Sequence, residues 1–188
     1  MKEFKLPAAL FKAAMLCQSK NDVRYYLAGV HVTSTRIAAT NGHILFINED
    51  EKWQKDYKND LPEKGIIVIL DSTIPAKART LKFNPISDSV GICEMIDSNL
   101  LLVKRCTFGI VDGKFPKLDK VIPSGKRKAT LNIAFNAQYL ALIGKVFSCL
   151  GRFSGARLDF YGDDKVACCV DVNPEFGESK FILMPMRL

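Results

Sequence analysis

A short order of elements, one strand, one helix and then three strands, recurs along the chain. A repeat of that size restricts the fold to similar α+β units set side by side. The first copy opens with a strand around Lys2–Leu6 and runs into a helix predicted over Pro7–Lys20. Pro7 suits a first helical turn, where its missing N–H costs nothing. Leu10, Phe11, Ala14 and Cys17 recur at three- and four-residue steps and share one apolar stripe. Val23–Val32, Arg36–Thr40 and His43–Ile47 then read as strands, the last two joined through Asn41-Gly42, a strong turn signal.

The same order returns near the C-terminus. Ala129–Ile133 alternates in the manner of a strand, and Asn136 is placed to cap a helix carrying Tyr139, Leu140, Ile143, Phe147 and Leu150 on its apolar side. Gly151 is placed as its stop, and strands follow at Arg157–Tyr161, Lys165–Asp171 and Lys180–Met184. A worn copy lies between these two. Gly65–Leu70 is a β-branched run, Ser72–Leu81 is predicted as a short helix disturbed by Pro75, and Val90–Met95 with Leu100–Cys106 forms a hairpin. The class is therefore α+β. The expected division is a two-unit domain over 1–113, with its internal boundary at about 50–64, a basic connector over 114–127 and a third unit over 128–188.

Two connections stand apart from the repeat. Glu49–Pro62 is a polar loop holding Trp53; a lone Trp in such a loop is usually half-packed on its own domain and occasionally anchors a partner. The connector carries Lys114, Lys117, Lys120, Lys126, Arg127 and Lys128, and it reads either as a solvated linker or as a DNA contact. The net charge of +7 favours an anionic partner without naming it.

Several classes are excluded. No run approaches the eighteen or so apolar residues of a membrane span. Glu3 and Pro7 interrupt any leader pattern over residues 1–16, so a cytoplasmic protein is expected. None of the six cysteines forms a CxxC pair, and adjacent Cys168 and Cys169 must point to opposite faces of a strand; buried free thiols are the expectation. His31 and His43 sit in no metal-binding pattern, and GxSxG, Walker and GxGxxG motifs are absent. No cofactor, no metal and no catalysis are expected.

Several segments, in matching order, resemble the bacterial DNA polymerase III beta subunit, the sliding clamp. Asp22-Val-Arg-Tyr-Tyr-Leu27 followed by a Gly, and Ala39-Thr-Asn-Gly-His43, are similar to the start of that family's middle domain. Val111-Asp-Gly-Lys-Phe-Pro116 and Val121-Ile-Pro123 are similar to the connector leading out of it. Phe135-Asn136 with Tyr139, and Met184-Pro-Met-Arg-Leu188, are similar to the end of its last domain. The longer loop at Glu49–Pro62, and Ile44 at an often basic position, depart from the family. The resemblance implies a clamp fold with helices inside and antiparallel sheets outside. A family clamp has three domains of two units each, so three units correspond to the middle domain plus the terminal half-domain. Clamp rings contain twelve such units. Four chains of three would close one, with neighbours alternating in direction.

The resemblance also implies a non-catalytic processivity factor that encircles duplex DNA and tethers polymerase or repair proteins by short peptides, with a clamp loader as a further candidate partner. Its protein-binding cleft would take Leu27, Thr40, Gly42, His43 and Leu45 from the first unit, and Pro116, Lys120 and Val121 from the connector. The last unit would add Asn136, Tyr139, Val166, Cys168 and Ile182, and the terminal segment Met184, Pro185, Met186 and Leu188. In this reading small Gly42 leaves room, the methionines adapt to varied side chains, and Asn136 bonds the peptide. Candidates for phosphate contacts are Lys12 and Lys20, Lys77 and Arg79, and Lys145 and Arg152, one pair per unit. A competing reading keeps the cleft and loses the ring: a clamp mimic that sequesters clamp-binding proteins.

Overall fold

The computed structural model describes residues 1–20, 22–57, 61, 64–129, 132–151, 155–162 and 166–186. Its eleven strands are β1 Phe4–Pro7, β2 Val30–Val32, β3 Ile37–Thr40, β4 Ile44–Asn48, β5 Ile66–Leu70, β6 Thr80–Pro85, β7 Val90–Ile96, β8 Leu102–Val111, β9 Leu158–Asp159, β10 Ala167–Asn173 and β11 Gly177–Leu183. The helices are α1 Ala8–Met15, α2 Glu51–Asp56 and α3 Ala137–Ser148. The strands form one sheet in the order β1-β6-β7-β8-β5-β2-β3-β4-β11-β10-β9, antiparallel at every step.

One face of this sheet carries α1 and α3, which pack on each other. Helix α1 touches β3 and β4 and also, through Phe11 on Phe83 with ring centroids 5.6 Å apart, the far strand β6. The sheet therefore curls around the helix. Phe4, Phe83 and Phe108 stack beneath it, and Val146, Phe147, Phe181 and Trp53 continue the same core into the last third of the chain. Side chains that alternate with these along the strands, Ala38, Leu45, Ile47, Cys168 and Ile182, form a second cluster on the opposite face.

The first unit matches its predicted order with shorter elements. Pro7 ends β1 and caps α1, and the Ala8 N–H donates to Arg79 O at 2.8 Å. The helix stops at Met15 rather than Lys20, because the chain turns away and the Ser19 N–H donates to Leu27 O at 2.8 Å. The expected strand over Val23–Val32 keeps only its last three residues. Asp22 accepts the Arg24 N–H at 2.8 Å, which turns the backbone into a 3-10 turn at Tyr25–Leu27.

The middle unit has its four strands and no helix. Around Pro75 the chain makes a single turn, closed by Ala78 N–H on Pro75 O, and inserts Ile74 and Ala78 into the core. The helix beside α1 is α3, brought from the last third. Of the opening strand expected there at Ala129–Ile133, Thr130 and Leu131 lie outside the described residues; Ala129, Asn132 and Ile133 are not in a strand, and Ala134 makes an isolated bridge with Met186. Asn136 does cap α3, accepting the Gln138 N–H at 2.8 Å.

The polar loop after β4 contains α2. Asp50 caps it by accepting the Lys52 N–H at 3.0 Å, and Trp53 is fully buried at 1% exposure rather than half-packed. Burial of a large aromatic fixes a helix too short to hold itself.

Candidate functional site

The turn between β3 and β4 is closed by its own side chains. Asn41 accepts the N–H groups of His43 and Ile44 at 2.9 and 3.0 Å, and Thr40 Oγ1 accepts from Gly42 at 3.0 Å while donating to Ile44 O at 2.5 Å. β4 then pairs with β11 from Asn48↔Ser179 to Ile44↔Leu183, and the Met184 N–H donates to His43 O at 2.9 Å. The outward cluster of Leu45, Cys168 and Ile182 therefore spans the first and last thirds of the chain.

The connector crosses this outward face. Phe115 stacks on His31 with ring centroids 4.5 Å apart, and Leu118, Val121 and Ile122 pack on the outward cluster. Arg127 pairs with the buried Asp159 at 2.8 Å, and the Lys128 N–H donates to Phe160 O at 2.9 Å, fastening the far end to the last third. The apolar side chains of the segment thus pack on the sheet while its six cations stay exposed, on the face opposite the helices.

Between the connector and the sheet lies a cavity of about 790 Å³. Leu27, Thr40, Gly42, Leu45, Pro116, Lys120, Val121, Val166 and Met184 of the expected cleft line it. His43 and Ile182 line a hollow of about 20 Å³ beside it, with Thr40, Gly42, Leu45, Val121 and Met184 shared between the two. Cys168 lies in the cluster beneath, and its thiol is pushed up to about 11, first by burial. Tyr139 stacks near His43, with centroids 6.0 Å apart. Asn136 has its carbonyl oxygen committed to the helix cap, and Met186 donates its N–H to Ala134 O at 2.8 Å; neither these two nor Pro185 lines the main cavity. Leu188 lies outside the described residues. Met184, which lines the cavity, is 44% exposed, and Met186, which does not, is 53% exposed.

The cavity wall also includes residues that motif matching missed: Arg24, Tyr26, Leu118, Ile122, Lys126, Lys128 and Tyr161 among them. Arg24 occupies the room expected above Gly42. A Cβ on Gly42 would sit 2.9 Å from Arg24 Nη2, and the residue's φ of 92° favours glycine as well. The guanidinium is held by Asp22, with contacts of 3.0 and 2.6 Å. The hydrogen bonds from Arg24, side chain first and then backbone, lower the Asp22 carboxyl to about 2.

The expected DNA contacts are scattered. Lys12 lies on α1 and Lys145 on α3, each the only cation of its helix. Lys20 follows α1, while Lys77 and Arg79 sit in the turn that replaces the middle helix. Arg152 lies outside the described residues. Among the described residues no group of three or more His, Cys, Asp or Glu side chains could hold a metal ion, and no helix is long and apolar enough to cross a membrane. Cys17, Cys93, Cys168 and Cys169 are buried free thiols, with Cys168 and Cys169 on opposite faces as expected.

No protein-family profile matches the sequence, and no curated protein matches it. Solved structures do match. The Caulobacter crescentus beta sliding clamp superposes with a TM-score of 0.63 at 17% identity, covering 100% of this chain and 66% of that one. The Bacillus subtilis DNA polymerase sliding clamp gives 0.61 at 14%, covering 99% and 64%. A Pseudomonas aeruginosa sliding clamp bound to griselimycin gives 0.59 at 16%, covering 99% and 65%. The fold is the sliding-clamp fold in a shortened form, and the chain spans 64–66% of the length of these clamps.

Proposed function

We propose that this clamp fold serves as a non-catalytic tether. In this reading the cleft captures short apolar peptides of polymerase or repair proteins and holds them at duplex DNA, which is bound without regard to sequence. The observation that carries the proposal is the 790 Å³ cavity, apolar in its floor and flanked by an adaptable methionine. Three units, over 1–113 and 128–188 with a connector between, would let four chains make a ring of twelve.

Burying each Leu or Phe anchor of a peptide contributes roughly 1.5–3 kcal/mol, so two anchors less the ordering cost give an affinity on the order of micromolar. That suits partners that exchange. Met184→Ala should weaken capture of such a peptide about tenfold while leaving the unfolding midpoint unchanged, as measured by anisotropy titration and denaturation. Equal affinity in the variant would remove the cleft assignment. Griselimycin, bound by the P. aeruginosa clamp, is a second probe for the same titration.

A clamp mimic that sequesters the same peptides without encircling DNA is the second reading. It is favoured by one observation: the helix layer is poor in positive charge, with a single cation on each of α1 and α3. The two readings differ in whether duplex DNA passes through a closed ring.

A further inference from the structure

The chain's basic connector runs across the outward face of the sheet, and its cations are sorted there. Arg127 pairs with Asp159 and closes the structure. Lys120, Lys126 and Lys128 line the cavity instead, all exposed and, among the described residues, in no ion pair. Arg24 adds a fourth cation, partly offset by Asp22. No carboxylate is among the described residues that line the cavity. Asp119, although it neighbours Lys120, turns toward Arg36, 3.8 Å away. The segment 163–165, with Asp163, Asp164 and Lys165, lies outside the described residues. Among the described residues an apolar floor thus meets a cationic rim, a pairing that suits a ligand with two parts.

We infer that the preferred partner peptide carries acidic residues beside its apolar anchors, and that Lys120, Lys126 and Lys128 read this acidic flank rather than DNA. The inference rests on the cleft being a peptide site. Rim charges act over about 10 Å at 0.1 M salt, so the preference is salt-dependent and is expressed mainly in the association rate.

The test uses the full chain and three fluorescent peptides with the same two leucines and one phenylalanine, flanked by two Asp, two Ser or two Lys. At low salt affinity should fall in the order Asp, Ser, Lys, with the Asp-flanked peptide about fivefold or more tighter than the Ser-flanked one. The three affinities should converge as salt rises. Lys126→Gln with Lys128→Gln should bring the Asp-to-Ser ratio toward one and slow association of the Asp-flanked peptide. A wild-type ratio at or below one, or a ratio untouched by the double substitution, overturns the inference while leaving the cleft reading intact. Binding of none of the three peptides removes the cleft reading and the inference with it. Loss of circular-DNA retention in the double variant, with the ratio preserved, returns the lysines to DNA.

Discussion

Asn48 stands at the end of β4, buried, and its Nδ2 donates to Phe176 O at 3.0 Å, Glu178 O at 3.1 Å and Ser179 Oγ at 2.9 Å. The two amide hydrogens of one side chain thus serve three acceptors, one of them shared, at the seam between the first and last thirds. Asn48→Ala should destabilise the fold by about 2–3 kcal/mol, read as a lower denaturant midpoint, because the acceptors stay buried when the donor is lost. His31 acts at the other side of the outward face. Burial, partly countered by its hydrogen bond to Lys64 O, lowers its pKa, and the nearby Arg36 lowers it further. A group whose folded pKa lies below its unfolded value binds more protons when unfolded. Stability is therefore expected to fall as pH drops through about 6.5 and below. His31→Gln should flatten that dependence in denaturation between pH 5 and 7.5; an unchanged slope would assign it to other groups. Neither role was readable beforehand, since both depend on partners far away in the chain.

Among the elements, local signals succeeded where the residue's own neighbours decide. Asn136 before an apolar stripe gave a capped helix, and Val90–Ile96 with Leu102–Val111 is the expected hairpin. They failed where tertiary contacts decide. Ser72–Leu81 has a helical pattern, but α3 already occupies the flank of α1, and Pro75 with buried Ile74 and Ala78 suffices to close the core. The loop after β4 read as polar because five of the six residues of α2 are polar or charged; buried Trp53 ties it down, helped by Gln54 donating to Thr35 O at 3.0 Å and Asp50 accepting the Glu178 N–H at 3.0 Å. Trp53→Ala should cost about 3–5 kcal/mol and release the 49–57 segment to rapid amide exchange, whereas a partner anchor would leave both unchanged. Of the cleft, the positions inside recognisable motifs were legible. Arg24 lies inside such a motif, but its place above Gly42 was not legible because it depends on the ion pair with Asp22; Lys126 and Lys128 were not, because the course of the connector over the sheet is set by Phe115 on His31 and by Arg127 on Asp159.

For the whole molecule, the proposed count of three units would make neighbouring chains of a ring alternate in direction. If twelve units close a ring, light scattering should give a particle of four chains, and the protein should be retained on circular duplex DNA but slide from a linear one. A persistent monomer that captures peptides with no topological retention would favour the mimic. The continuous sheet adds a constraint of another kind. Strand β4 receives its neighbour β11 only when residues near Ser179, 131 positions later, are available. At about 5–20 residues per second of synthesis, its bare edge waits roughly 7–26 s on the ribosome. During that interval Ile44–Asn48, apolar in four of its five residues, presents an unpaired edge of the kind that recruits other chains. Yield in the cell is therefore expected to depend on translation timing and chaperone access as well as on the stability of the finished sheet, which slowed or chaperone-depleted expression would reveal.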